Sequence, residues 1–316
     1  MISTQDVIMA YRFILGREPE SGAVVEHHRS LHPSLEALRA SFLDSPEFQT
    51  QGRRRLSTPA DMGPPMQIDL DLDSSSLDRM FARIEQSWRA LGQTEPYWSV
   101  LSHENYKSDK FREKADEFYK SGEHDVKRLC AWLLRNNIDP GRIHSCCEYG
   151  CGVGRVTGWL AARFPAVIGC DISESHLQIA KQRASDQRWS NVTFRQIENR
   201  AALSQLEPVD LVLSIIVLQH NPPPVIEHMI RKLLQALKPR GVAFFQVPTY
   251  FAAYKFDAKK YLSSRTPTSS FEMHVLPQSS VFKAVKDQGC IVLEVQPDSC
   301  VGRADWVSNT FLVQRV

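Results

Sequence analysis

Glu148-Tyr149-Gly150-Cys151-Gly152-Val153-Gly154, with Asp171 one helix-length further on, is the stretch that decides the reading of this chain. The apolar run Ile143–Cys147 predicts a buried strand, the glycines a tight turn, and Thr157–Phe164 a helix. A second apolar run, Ala166–Cys170, ends on Asp171. The pattern is a β-α-β unit with a Gly-rich first turn and an acid at the tip of its second strand. Glycines there let the backbone approach a ligand closely, and the acid can accept hydrogen bonds from ribose hydroxyls. The expected ligand is a nucleoside derivative.

Spacing narrows the nucleoside. The dinucleotide fingerprint G-x-G-x-x-G is not met, because Arg155 stands three residues after Gly152. A dinucleotide also needs its pyrophosphate on the helix N-terminus. Here an acid precedes the first glycine by two residues, which suits a ligand with a cationic or amino end. S-adenosylmethionine carries an adenosine, a sulfonium and an ammonium group, and no phosphate.

These residues resemble the class I S-adenosylmethionine-dependent methyltransferases. Their first motif, acid-x-Gly-x-Gly-x-Gly, is matched by Glu148, Gly150, Gly152 and Gly154, and Asp171 matches the acid that holds the ribose. Val192–Phe194 with Glu198 and Asn199 resembles the third strand and the acid that contacts the adenine amino group. Val209–Ser214 resembles the fourth strand, and Leu237–Gly241 the turn before the fifth. The resemblance covers roughly Asp78–Val316. It implies an α/β fold with a Rossmann-like seven-stranded sheet and an antiparallel final strand. It also implies S-adenosyl-L-methionine as cofactor, held by Trp98, Glu148, Gly150, Cys151, Gly152, Gly154, Asp171, Ile172, Glu198 and Ser214. Several of these have plainer readings: the glycines as a plain strand-to-helix turn, Asp171 as a helix cap beside Ser173 and Glu174, Glu198 as a solvated loop charge, and Trp98 as core packing.

Composition fits an enzyme with a near-balanced charge, formally +2 over 316 residues. No basic run with interleaved aromatics is present, so a nucleic-acid partner is not indicated. The seven cysteines form no C-x-x-C pair, and Cys146 and Cys147 fall on opposite faces of one expected strand. They read as small buried hydrophobes in a reducing compartment, with no metal site. Asp6, Arg12 and Arg17 interrupt the N-terminal apolar residues, so neither a signal peptide nor a membrane span is expected, and the expected location is cytoplasmic.

Along the chain, residues 1–50 read as a small helical domain, 51–76 as a linker, and 77–316 as the methyltransferase-like domain. Val7, Ile8, Tyr11, Ile14 and Leu15 recur at helical spacing up to Gly16, and Leu35, Leu38, Phe42 and Leu43 mark a further helix. Leu15–Pro19 and Ser45–Phe48 resemble a helical domain of unknown function found beside bacterial glycan-processing enzymes. That implies docking or presentation of a glycan or protein; the plainer reading is packing alone. Leu77–Leu91 and His124–Leu134 read as helices. The segment 94–107 between them is expected to fold over the cofactor through Trp98. Strand five is expected at Val242–Val247, the last helix at Gln278–Gln288, and a closing hairpin at Ile291–Val295 and Thr310–Val316. Residues 248–277 read as a long irregular segment at the carboxyl end of a strand, the expected acceptor lid.

Methyl transfer from a sulfonium is an in-line displacement that mainly needs alignment and exclusion of water. A sugar hydroxyl is a poor nucleophile and gains from a base. His220, just beyond strand four, and His274, in the lid, are the candidate bases. Asn221-Pro222-Pro223 resembles the Asn-Pro-Pro-aromatic element of amino-methylating enzymes, but it lies too far past the strand and continues with Pro224. Asn221 reads instead as a cap for a helix over Val225–Leu237. The expected function is O-methylation of a sugar, nucleotide sugar or glycan hydroxyl. The alternatives are O- or N-methylation of another small metabolite, and a non-catalytic cofactor-binding scaffold.

Overall fold

A computed structural model of the chain describes residues 2–48, 63–264, 272–303 and 305–316. The chain divides into two compact units, 1–61 and 62–316.

The first unit contains helices α1 (Thr4–Ala10), α2 (Gly22–Leu31) and α3 (Leu35–Leu43). Ser3, Ser21 and Ser34 cap them, each accepting a backbone N–H three residues on. The helix over Val7–Leu15 changes to a π-turn at Tyr11–Leu15 before Gly16 ends it with φ at +68°. Val7, Tyr11, Leu15, Val25, Leu38 and Phe42 form the core. The guanidinium of Arg17 donates two hydrogen bonds to the Glu47 carboxylate, at 2.6 and 2.7 Å. The two motif pieces that suggested a domain are thus joined by one ion pair.

The second unit is built on a seven-stranded sheet. Its strands are β2 (Ser145–Tyr149), β3 (Ala166–Asp171), β4 (Val192–Gln196), β5 (Val209–Ser214), β6 (Leu237–Phe251), β8 (Cys290–Asp298) and β9 (Trp306–Arg315). The order is β4-β3-β2-β5-β6-β9-β8, with β9 antiparallel to both neighbours and the other pairings parallel. Strands buried on both faces explain the near-continuous apolar runs in the sequence. On one face α4 (Ser74–Thr94), α8 (Pro223–Gln235) and α10 (Gln278–Asp287) pack Met80, Phe81, Ile230 and Val281 onto Cys147, Val212 and Phe245. On the other, α5 (Phe111–Arg135) and α6 (Thr157–Ala161) pack Leu129, Leu133 and Leu160 onto Cys146, Leu211 and Phe244. Cys146 and Cys147 do face opposite cores. Helix α7 (Glu174–Asp186) follows β3. No helix of the described residues is long and apolar enough to cross a membrane.

Three expectations need correction. Half of the expected linker belongs to the second unit: β1 (Gln67–Ile68) pairs in parallel with β7 (Lys255–Phe256). Asp69 accepts the Ala258 N–H at the start of α9 (Ala258–Ser263), and Tyr250 donates to the Pro64 carbonyl. The expected lid is less irregular than its composition suggests, because β6 runs on to Phe251 and is followed by β7 and α9; residues 265–271 of that segment lie outside the described ones. Finally, Asn221 does not cap α8. Pro222 takes that position, while the Asn221 amide donates to the carbonyls of Val217 and Leu218.

These contacts predict where a truncation is tolerated. A protein beginning at residue 63 should keep the melting behaviour of the second unit. One beginning at residue 77 loses the β1 pairing, the Asp69 bond to Ala258 and the Ile68, Leu70 and Leu72 packing. At about 1 kcal/mol for a hydrogen bond, and about 2–4 °C per kcal/mol, it should melt several degrees lower by calorimetry. Equal melting temperatures would contradict the assignment of 63–76 to this unit.

Candidate active site

The site starts from the turn after β2. Gly150 and Gly152 both have left-handed backbones, with φ at +78° and +52°. A Cβ on Gly150 would overlap the Val217 side chain, and one on Gly152 would lie 2.7 Å from Val100 Cγ2. Only glycine meets both demands. The Gly150 and Cys151 amides donate to the Cys170 carbonyl at 2.8 and 3.0 Å. The Gly152 N–H donates to one oxygen of Asp171, and the Ser173 N–H to the other, both at 2.8 Å. Asp171 is therefore held rigidly at the tip of β3, with lone pairs remaining on each oxygen.

The cleft over this turn encloses about 860 Å³, its open mouth included. It lies at the carboxyl ends of β2, β3 and β5, where the strand order reverses. Glu148, Gly150, Cys151, Gly152, Asp171 and Ile172 line it together, as the sequence motif requires. Four other expected residues are not among the lining. Gly154 packs instead near Ala180 and Trp189. Ser214 is fully buried, its hydroxyl without a partner among the described residues. Glu198 is exposed, and Trp98 is half-buried. The segment expected to cover the cleft does so through Ser99 and Val100 instead, and α4 adds Ile84 and Trp88.

Two buried acids face different surroundings. Burial pushes the Glu148 carboxyl up to about 8, against the pull of the Thr157 hydroxyl, which donates to it at 2.6 Å, and of Arg155. Arg155, which breaks the dinucleotide fingerprint, is buried in an ion pair with Asp125 at 2.7 Å. His176, on the first turn of α7, also lines the cleft. Its Nε2–H reaches the Pro96 carbonyl and the Ser99 hydroxyl, and burial lowers its pKa. None of Trp88, Ser99, Arg155 or His176 was legible as a site residue; each is brought in by packing of α4, α5 or α7 on the turn.

The two candidate bases lie close together but outside the lining. His220 packs edge-on against Trp88, with ring centroids 5.4 Å apart. Its Nδ1–H donates to the Glu272 carbonyl at 2.9 Å, and its Nε2 accepts from the Gln219 amide at 3.2 Å. Burial lowers its pKa to about 4, with His274 adding to the shift. A pH limb from His220 therefore belongs near 4, not near neutrality. The His274 ring donates to the Glu272 carboxylate at 3.0 Å and accepts from the Tyr254 hydroxyl at 2.6 Å. Each histidine thus has both ring nitrogens engaged by the protein. No group of three or more possible metal ligands occurs among the described residues.

Glu148 generates a pH prediction. Its folded pKa lies above the ordinary 4.5, so the unfolded chain ionises first. Stability contributed by this group falls as pH rises from about 4.5 to about 8. Glu148→Gln should therefore melt higher than the wild type at pH 8–9, by about 2–4 °C for each kcal/mol of ionisation cost removed, and close to it at pH 5. A variant that melts lower at pH 9 than at pH 5, relative to the wild type, would contradict the buried neutral acid.

Residues 147–241 match the family described as a methyltransferase domain. The ubiquinone biosynthesis O-methyltransferase of Acinetobacter baylyi is 30% identical over 99 residues, 31% of this chain and 41% of that protein. The enzyme of the same name from Pseudomonas fluorescens is 32% identical over 125 residues, 39% of this chain and 51% of that protein. The chain thus spans about half the length of the curated relatives it matches. Among solved structures, magnesium protoporphyrin IX methyltransferase from Synechocystis PCC 6803, crystallised with bound SAM, superposes with a TM-score of 0.51. It is 20% identical and covers 78% of this chain and all of that one, a likeness of fold. Sheet order, the Gly-rich turn and the superposition agree: the second unit has the fold of the class I methyltransferases, and residues 147–241 within it match a methyltransferase domain.

Proposed function

We propose that the protein is an S-adenosylmethionine-dependent methyltransferase that transfers the methyl group to an oxygen of a small acceptor. The observation that carries this reading is the cradle of Gly150 and Gly152 locked against Asp171. A Cβ at either glycine would collide with Val217 or Val100 of the cleft wall, and the acid beside them is fixed with free lone pairs. Asp171 would hold ribose hydroxyls, Ile172 and Trp88 would flank the adenosine, and Glu148 would face the amino end. When bound, S-adenosylmethionine supplies a methyl group on a good leaving group, a sulfonium.

The protein's own contribution is alignment and exclusion of water. Ile84, Val100, Ile216, Val217 and Met229 give the cleft apolar walls. Burial keeps Glu148 neutral below about pH 8. A cationic group beside it favours the ionised form, so binding would release a proton. Transfer to oxygen is supported by the names of the matched relatives, which are O-methyltransferases. A sugar or glycan hydroxyl is the acceptor class we favour. That choice is supported by the N-terminal motifs, whose Arg17 and Glu47 join in one pair.

The test is calorimetry followed by label transfer. S-adenosylhomocysteine should bind and NAD should not. Asp171→Ala should weaken binding by roughly 1.5–3 kcal/mol, about ten- to a hundredfold. Labelled methyl from S-adenosylmethionine should then appear on a hydroxyl compound in a panel of sugars, nucleotide sugars, phenols and amines. Undiminished affinity in Asp171→Ala would remove the ribose assignment, and transfer only to amines would remove the oxygen acceptor.

A further inference from the structure

Gln246 is a polar residue with no exposed surface, set in the middle of the sheet on β6. Its hydrogen bonds run to the segment 215–221, which supplies Ile215, Ile216, Val217 and Asn221 to the cleft wall, and to Ser308. Their direction follows from chemistry. The Ile216 N–H can only donate, so Gln246 Oε1 faces it, at 3.1 Å. Gln246 Nε2 must then donate to Gln219 Oε1, at 3.0 Å, and to the Ser308 hydroxyl, at 2.7 Å. That turns Gln219 Nε2 toward His220 Nε2, 3.2 Å away. The other ring nitrogen meets the Glu272 carbonyl, which can only accept. One chain of donors and acceptors runs from Ile216 to Glu272 without a conflict.

We propose that Gln246 is a positioning residue that, through Gln219, fixes His220 as the Nδ1–H tautomer with Nε2 unprotonated. The same amide holds Ile216, whose φ of +60° is strained for a β-branched residue. One buried side chain therefore sets both a wall of the cleft and the proton state of the histidine behind it. Among the described residues, the titratable and charged groups round His220 include His274 and Glu272, with Arg83 of α4 approaching Glu272 at 3.5 Å and the Tyr254 hydroxyl bonded to His274. Burial and His274 favour the same neutral ring. That this state serves methyl transfer rests on the function proposed above; the tautomer itself does not.

Nitrogen-15 NMR of the histidine rings in the full chain tests the relay. The wild type should show His220 with a bare Nε2 and a proton on Nδ1 down to about pH 4. In Gln246→Glu the new carboxyl, buried like Glu148, can donate only while it holds its proton; once it ionises, Gln219 must turn its amide nitrogen to it and its oxygen to His220, so that the proton the acid loses is the one the ring gains. Both ring nitrogens then face acceptors, and the ring takes a proton. Its midpoint should rise from about 4 to above the ordinary 6.5. Gln246→Leu breaks the relay without reversing it and should leave the ring neutral at pH 7, which separates reversal from general loosening. Circular dichroism identifies any variant that fails to fold; the wild-type tautomer still decides the matter then. A proton on His220 Nε2 in the wild type, or an unmoved midpoint in folded Gln246→Glu whose new carboxyl carbon-13 NMR shows to be ionised, would overturn the proposal. Titration of the same samples with S-adenosylhomocysteine keeps the two readings apart. A relay that behaves as described in a protein that does not bind it would refute the function alone.

Discussion

The hydrogen bond from the Gly152 amide to the Asp171 carboxylate ties together the tips of β2 and β3, and the site depends on it. The bond needs Gly152 in a left-handed conformation, and it occupies one oxygen of an acid whose other oxygen holds the Ser173 amide at the start of α7. With the Cys170 carbonyl receiving both Gly150 and Cys151, the turn has little freedom left. The cleft at the switch point of the sheet is built on this turn.

Electrostatics around the turn follow from how deeply each charge is buried. Arg155 is buried with its own partner, Asp125. Glu148 is buried with the Thr157 hydroxyl donating to it and the Arg155 charge turned to Asp125, and responds by holding its proton to about pH 8. Asp171 keeps its acceptor capacity for a ligand because backbone amides, not cations, are its neighbours. The cleft therefore presents one acid ready for hydroxyl groups and one whose charge a cationic ligand would draw out. Its apolar walls raise the worth of both.

Much of this was legible in the sequence, and the reasons are local. Alternating glycines behind Glu148 permit the left-handed backbone of a tight turn, and the acid one strand away comes alongside it in a parallel pair. The antiparallel last strand followed from resemblance, not from pattern. What could not be read are the residues that reach the cleft through tertiary packing. Trp88 lies on an amphipathic helix whose periodicity gives a buried face without saying what that face covers, whereas Trp98 stood nearer the motif and drew attention instead. Gln246 looked like an ordinary strand residue, because only the fold places it beneath Ile216 and Gln219. The linker boundary was misjudged for a related reason: Pro, Ser and Asp between 64 and 76 suggest a loose segment, yet two residues there find a strand partner nearly two hundred positions away.

The central claim is that the Gly150–Gly154 turn with Asp171 is a nucleoside site. It is tested most directly by NMR of the chain labelled with nitrogen-15 at its 15 glycines, a number small enough to resolve. On addition of S-adenosylhomocysteine the Gly150 and Gly152 amides should shift in a saturable way, while Gly16, in the first unit, and Gly289, beyond the cleft, stay where they are. Shifts spread over remote glycines with Gly150 and Gly152 unmoved would contradict it.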